Sequence, residues 1–404
     1  FERARAGPGP LARAPRSPRA RTTAAHLSAR LPGCPRPAAG HRAAIRAARA
    51  LRGDRRRHTA APMLSARPAR APAFAASLAA LLIGALLLSA CGPKPSAVDP
   101  AGSSAPAAGA TLSGLRLSGP GFPLDLWAED GGRLRLERPA TRILATNAGL
   151  LDLLSELVEP ERIAGMPRSA QPYSVALERG YGFDAARLLD TLDTETVLSL
   201  DADLVLMRAW QSSEQRWQLE RAGVAVISLP NPETFEAIVE DLRLLARLCA
   251  AEPRAEALIE RLEARRRELA EAAAARRAWR LIDYTNGGEG GWVAGAGTTF
   301  DLLCRLIGAT NAGAEFPGHA RLDLEGLRRL APDAFVLARA TGSAGETATA
   351  AFLCAETRLA DLPAVRERRF VELSATLSGT DAHFLLDAAE ALARWIDSRP
   401  PPGR

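Results

Sequence analysis

The sequence predicts an α/β protein of two lobes, each with a central, mainly parallel sheet, joined by one long backbone α-helix. Three observations carry that reading. Strand-like and helix-like segments alternate on both sides of a stretch from Pro232 to Arg277 that reads as helix throughout. Two short motifs recur in the same order on either side of that stretch. The composition, 47% hydrophobic and 24% charged over 404 residues, is globular and leaves room for two domains.

The elements follow in chain order. Leu124-Asp-Leu-Trp127 and Arg133-Leu-Arg-Leu-Glu137 alternate at period two about Asp130-Gly131-Gly132, which predicts a β-hairpin. Arg142 to Thr146 reads as a short buried strand and Leu150 to Leu157 carries helical spacing. Asp203 to Met207 and Val224 to Leu229 are strands flanking a helical Glu214 to Ala222, the βαβ rhythm of a covered parallel sheet. From Phe235 through Leu242, Leu245, Leu258 and Leu262 to Leu269, apolar residues recur at three and four. Roughly 45 residues of helix at about 1.5 Å each would reach about 65 Å, with a bend expected near Pro253. Trp279 to Tyr284 is then a strand, Thr298 to Ile307 a helix and Ala334 to Ala338 a strand. Asp152-Leu-Leu-Ser-Glu-Leu157 matches Asp301-Leu-Leu-Cys-Arg-Leu306, and Asp193-Thr-Glu195…Leu200…Asp203 matches Asp323-Leu-Glu325…Leu330…Asp333. Two matches in order imply duplicated lobes, with boundaries at 120–231 for the first, 232–277 for the helix, 278–397 for the second and a tail at 398–404.

Charge divides the chain differently. Residues 1–62 hold 15 Arg against only Glu2 and Asp54, and Arg67 and Arg70 follow, so a total of +6 leaves the chain from Cys91 onward at −9. The arginine-rich start lacks apolar periodicity and is expected to stay disordered, as upstream sequence outside the native protein; a nucleic-acid-binding tail is the competing reading. From Met63 a basic n-region, an apolar stretch over Ala71–Leu88 and the small residues before Cys91 read as a signal peptide over 63–90. The apolar core is too short for a membrane span of about 20 residues. Leu88-Ser89-Ala90-Cys91 resembles a bacterial lipobox, which implies cleavage before Cys91 and two acyl chains on its thiol, enough for stable anchoring. Gly92, by resemblance to lipoproteins of Gram-negative bacteria, favours the outer membrane over the inner. Residues 91–119 are expected to be a small-residue tether. Once the basic start is removed, an acidic body argues against a nucleic-acid partner.

Pro139-Ala-Thr-Arg142-Ile-Leu, Glu161-Arg-Ile-Ala-Gly165, Leu200-Asp-Ala-Asp203, Gly223-Val-Ala-Val-Ile, Val293-Ala-Gly-Ala-Gly297-Thr and Leu330-Ala-Pro-Asp333, in this order and spacing, resemble the helical-backbone substrate-binding proteins of ABC importers. These are the periplasmic receptors for ferric siderophores, haem and cobalamin. The resemblance covers about residues 120–396. It implies a ligand cleft between the lobes, a monomer tethered in the periplasm, and an inner-membrane ABC permease with its ATPase as partner. It also implies an iron-siderophore or corrinoid ligand, with haem, or a sensor or structural role without transport, as alternatives. The acids matching the family's permease-docking motif are Glu195 and Glu325, whose bland reading is an acid favoured by the dipole of a helix start.

Loops at the carboxyl ends of strands are expected to line the cleft. In the first lobe these carry Thr146, Asn147, Arg168, Tyr173, Tyr181, Arg208 and Trp210; in the second, Tyr284, Asn286, Trp292, His319 and Arg339, with His383 near the end. Aromatic faces and guanidinium groups suit a flat or anionic chelate, and Tyr173, Tyr181 or His319 could serve as a haem axial ligand. After the lipobox only two histidines remain, His319 and His383, which argues against a bare-metal site. No Gly-x-Ser-x-Gly elbow, phosphate-binding loop or His-Glu-x-x-His pair is present, so no enzyme class is indicated. Cys249, Cys304 and Cys354 cannot all pair within one chain.

Overall fold

The computed structural model describes residues 110–129, 131–276, 278–286, 290–340, 347–400 and 402, all within one unit of the chain. The arginine-rich start, the signal peptide and Cys91 lie outside the described residues.

An antiparallel meander comes first: β1 (Thr111–Leu112), β2 (Leu115–Leu117), β3 (Leu124–Trp127) and β4 (Arg133–Leu136), in that spatial order. The expected hairpin is β3 with β4, Leu124 opposite Leu136 and Trp127 opposite Arg133. Period two sorts its faces: Leu124 and Leu126 are buried, while Asp125 on the other face meets Arg133 at 3.0 Å and Arg135 at 3.1 Å. β1 and β2 fall inside the stretch read as tether, because strands of two and three residues leave almost no period to see.

The first lobe follows: β5 (Ile143–Ala145), α1 (Ala148–Ser155), β6 (Ile163–Pro167), α2 (Val175–Glu178), β7 (Leu188–Leu189), α3 (Thr194–Ser199), β8 (Leu204–Arg208), α4 (Ser213–Arg221) and β9 (Val226–Leu229). The strands run parallel in the order β7-β6-β5-β8-β9. β5, β6 and β8 are buried along their whole length, as strands covered on both faces must be. Strand order reverses between β5 and β8, the switch point where open α/β sheets bind ligands.

The helical stretch is not one rod. It divides into α5 (Phe235–Cys249) and α6 (Glu252–Ala274) at Ala250, whose φ of 54° is left-handed. Pro253 sits at the start of α6, where its missing N–H costs nothing. The chain then folds back. Arg243 pairs with Glu256 at 3.0 Å, and Arg266 reaches Glu236 at 3.4 Å with its guanidinium 5.6 Å from the Phe235 ring. α5 and α6 are therefore an antiparallel hairpin, and the connection to the second lobe is α6 alone, about 35 Å long at about 1.5 Å per residue.

The second lobe contains β10 (Arg280–Asn286), β11 (Gly291–Ala294), α7 (Thr299–Leu306), β12 (Thr310–Asn311), β13 (His319–Leu322), α8 (Leu324–Leu330), β14 (Ala334–Arg339), α9 (Ala348–Ala355), α10 (Pro363–Arg366), β15 (Phe370–Ser374), α11 (Ala375–Ser378) and α12 (Leu385–Asp397). Its sheet runs β13-β11-β10-β14-β15 with β12 beside β10. β10, β12, β14 and β15 are parallel; β11 runs antiparallel to β10, and β13, antiparallel to β11, returns to the direction of β10. One apolar core crosses from lobe to lobe: Leu150 and Leu153 of α1, Leu242 and Leu245 of α5, Leu262 of α6, Leu303 of α7 and Leu392 of α12 belong to it. Two lobes that share a core cannot part without exposing it to water.

Candidate functional site

The switch point of the first lobe opens onto a cavity of about 670 Å³ between the lobes, within the size range of small-molecule sites. From the first lobe it receives Thr146 and Asn147 after β5, Pro167, Ser169, Ala170 and Tyr173 from the end of β6 onward, and Trp210 and Gln211 after β8. Asn231 and Pro232 come from the approach to α5. From the second lobe it receives Gly297–Thr299, Gly318, His319 and Gly379–Asp381.

Local chemistry sets each of these. Asn147 caps α1, its Oδ1 accepting from the Leu150 N–H at 2.9 Å, and Thr298 caps α7 in the same way at 3.2 Å. Two helix N-termini with their partial positive charge thus border the cavity. Thr146 donates its hydroxyl to the Leu206 carbonyl at 2.7 Å. A side chain at Gly295 would have its Cβ 2.0 Å from the Phe316 carbonyl oxygen, so only glycine lets residues 295–297 lie backbone to backbone on 316–318 and bring His319 to the wall. Tyr173 and Trp210 stand out from the wall, 56% and 63% exposed. No Arg or Lys lines the cavity.

Behind the cavity the lobes touch. Arg208 at the end of β8 is fully buried and pairs with Asp241 of α5 at 2.6 Å and with Asp381 of the second lobe at 2.8 Å. It also donates to the carbonyls of Pro230 at 2.9 Å and Asp381 at 3.1 Å. Burial works to lower its pKa, and the Asp381 and Asp241 carboxylates more than offset that, so it stands above the usual arginine value. The Asp381 carboxylate lies so close to α1 that a Cβ at Gly149 would fall 1.5 Å from its Oδ1. A second junction joins Arg179 beside α2 to Asp387 of α12 at 2.7 Å, and Arg265 of α6 to Asp387 and to Glu390, the latter at 2.7 Å. The Thr376 hydroxyl donates to Glu178, and Val175, Ala176 and Phe384 form a small apolar cluster across the same seam. Asp152 of α1 holds α2 in place, accepting from Ser174 Oγ at 2.6 Å and from the N–H groups of Val175 and Ala176 at 3.1 and 3.0 Å; burial pushes its carboxyl up to about 6. His383 lies buried beside Phe384, its ring nitrogens without a hydrogen-bond partner among the described residues, and burial pulls its pKa down to about 4.

Thr146, Asn147, Tyr173, Trp210 and His319 are thus brought together in the cavity, and the other expected contacts, Arg168, Tyr181, Arg208, Tyr284, Asn286, Trp292, Arg339 and His383, are not. Arg208 is a structural cation behind the wall, because two acids distant in sequence enclose it. Tyr284 is buried and, with Asn286, lines a different cavity that shares no residue with the first. Trp292 lies on the outer face of β11 with Arg321 5.4 Å from its ring, and Arg339 pairs with Glu372 of the neighbouring β15. For Tyr284 and Asn286, at the carboxyl end of β10, the reason is β11. By turning antiparallel it carries the chain away from the end of β10 and delivers Gly297–Thr299 to the cavity from its own carboxyl end. Tyr181 donates to the Val158 carbonyl at 3.0 Å, with its phenol pKa raised by burial, and Arg168 pairs with Asp190 at 2.6 Å at the surface. Sequence reasoning missed Gln211, Asn231, Thr298, Thr380 and Asp381; only Thr298, a capping residue ahead of a helical pattern, carried a local signal.

Glu195 and Glu325 each occupy the second position of a helix, after the capping acids Asp193 and Asp323. Both are exposed, and their carboxylates make no hydrogen bond or ion pair to another described residue. Cys249, Cys304 and Cys354 form no disulfide among the described residues. Among the described residues no group of three or more metal-ligating side chains converges and no helix is long and apolar enough to cross a membrane.

Two α/β lobes on a shared core hold between them a cavity at the switch point of one, the place where α/β sheets bind small ligands. The family model described as periplasmic binding protein matches residues 143–377, and the chain belongs to that family. Among solved structures it is similar to the periplasmic haem-binding protein BhuT in complex with two haems: 26% identity, 64% of this chain and 98% of that one, TM-score 0.55. A periplasmic haem-binding protein from Pseudomonas aeruginosa gives 26% identity over 65% and 95% of the two chains, TM-score 0.56. An ABC-type ferric hydroxamate transport protein from Saccharomonospora viridis, at 20% identity over 68% and 99% with TM-score 0.54, shares the fold. No curated protein sequence matches the chain.

Proposed function

We propose that this chain collects an iron chelate in the cavity between its lobes and hands it to the permease of an ABC importer, and that the chelate is haem. The observation that carries the choice is the pairing of side chains in one cavity: a phenol, Tyr173, from the first lobe and an imidazole, His319, from the second, each a residue type that ligates haem iron. Trp210 adds an exposed aromatic face for stacking on a flat macrocycle. The haem-binding relatives at 26% identity support the same choice. A neutral ferric hydroxamate is the second reading, favoured by a lining without Arg or Lys. Titration of the purified protein with haemin separates the two. Saturable binding at micromolar or lower concentration, with a Soret band that shifts in Tyr173→Phe or His319→Gln, is expected. Absence of binding by haemin together with tryptophan quenching by a ferric trihydroxamate would assign the cavity to the siderophore.

In the same reading lipid on Cys91 holds the protein at the periplasmic face of a membrane, and Glu195 and Glu325 dock the lobes on the permease. Free carboxylates on both lobes fix orientation through charge-assisted pairing. Reversing both charges is expected to abolish uptake while haemin affinity stays unchanged; loss of haemin binding would remove the docking role.

A further inference from the structure

One carboxylate, Asp381, lines the cavity between the lobes, and among the described residues no Arg or Lys does. Its side chain is 16% exposed, so a ligand can reach it. The groups that would otherwise attract a ligand carboxylate are already matched by the chain's own acids. Arg208, fully buried behind the wall, is shared between Asp381 and Asp241 and also donates to the carbonyls of Pro230 and Asp381. The first turn of α1 has the Asp381 carboxylate lying against it: the Asn147 amide reaches that carboxylate at 3.4 Å, and glycine at residue 149 admits it. The first turn of α7 carries its own acid, Asp301, which pairs with Arg305 and accepts from Asn311 Nδ2 at 3.3 Å. The partial positive charge at each helix start is therefore balanced from within. Arg168, beside the lining residues Pro167 and Ser169, is not part of the wall and holds Asp190 at 2.6 Å. The neutral polar groups need no ligand partner either, since Thr146, Gln211 and Thr298 hydrogen-bond within the chain.

We infer that Asp381 sets the specificity of this site by refusing a ligand carboxylate, so that haem enters by its methyl and vinyl edge and keeps both propionates in solvent. The inference rests on the haem reading and deepens it: the substrate class becomes a planar metalloporphyrin with one uncharged edge. A propionate pushed inward would lose its hydration, find no cation to pair with and face a like charge, and each of these counts against binding.

The test titrates the full chain with iron porphyrins in one detergent buffer and follows the Soret band. The ligands are haemin, haemin dimethyl ester, iron(III) coproporphyrin III, whose four propionates put a carboxylate on every pyrrole ring, and the tetramethyl ester of that coproporphyrin. The dimethyl ester is expected to bind within about threefold of haemin, the coproporphyrin about tenfold or more weakly, and its tetramethyl ester to recover most of that loss. Asp381→Asn, and Asn231→Lys at an exposed lining position, are each expected to narrow the gap between haemin and the coproporphyrin, with folding followed by melting temperature. Coproporphyrin binding as tight as that of haemin, or no gain from its tetramethyl ester, would overturn the inference and leave the haem reading standing. A dimethyl ester tenfold weaker than haemin would do the same, because it would show that the propionates are held. A gap that neither variant narrows would take the role from Asp381. If haemin itself fails to bind, the haem reading fails and the inference with it.

Discussion

The interface between the lobes has two halves of opposite chemistry. Its front is the cavity, lined by neutral groups apart from Asp381, with two exposed aromatics and no Arg or Lys. Its back is the seam, where Arg208, Asp381, Asp241, Arg179, Arg265 and Asp387 pair across three parts of the fold. The difference teaches where rigidity is placed. Charged pairs and shared core hold the lobes where no ligand enters, so the ligand face is free to be neutral and adaptable. This arrangement argues for small closure on binding, since opening the seam would leave buried charges unpaired.

Four experiments break or sharpen that contrast. Arg208→Met is expected to cost the most, about 3–5 kcal/mol of stability, because it leaves two acids buried without their cation; urea unfolding measures it, and a loss below about 1 kcal/mol would show that the seam does not hold the lobes. His383→Gln comes next and reads pH. A histidine pulled from 6.5 to about 4 stays neutral in the fold while the unfolded chain takes up a proton, so its stabilising effect is complete above pH 6.5 and is lost as pH falls toward 4. The parent-minus-variant stability is expected to change by about 3 kcal/mol across that window. Asp152, raised to about 6, acts in the opposite sense over the same range, so the difference curve is the readout rather than either curve alone. Gly149→Ala pushes a methyl into Asp381, where seam and cavity meet, and is expected to cost about 1–3 kcal/mol and also to weaken haemin binding. Trp210→Ala is expected to lower haemin affinity by about tenfold with unchanged stability, whereas Trp292→Ala, outside the cavity, changes neither by more than about 0.5 kcal/mol or its equivalent.

The βαβ rhythm and the paired motifs were legible because period and order survive without tertiary information. The turn at Ala250 was not: Ala250-Ala251-Glu252 are good helix formers, and only Pro253 hinted at an interruption that reverses the chain. In the first lobe, residues after β5, β6 and β8 could be placed in the cavity because every strand is parallel. In the second the same rule failed, since nothing local in Gly291–Ala294 announces an antiparallel strand. Arg208 stood out in the sequence, but its role depends on Asp381, 173 residues away, and no local pattern connects them.

That separation also orders events in time. A chain leaving the ribosome at about 5–20 residues per second completes its first lobe long before Asp381 and Asp387 exist. Until they emerge, Arg208 has Asp241 alone, and Arg179 has no acid from α12 to meet. A stretch made only after the whole first lobe is therefore what locks that lobe, and a nascent chain stalled before residue 381 is expected to be loosely held and open to proteolysis.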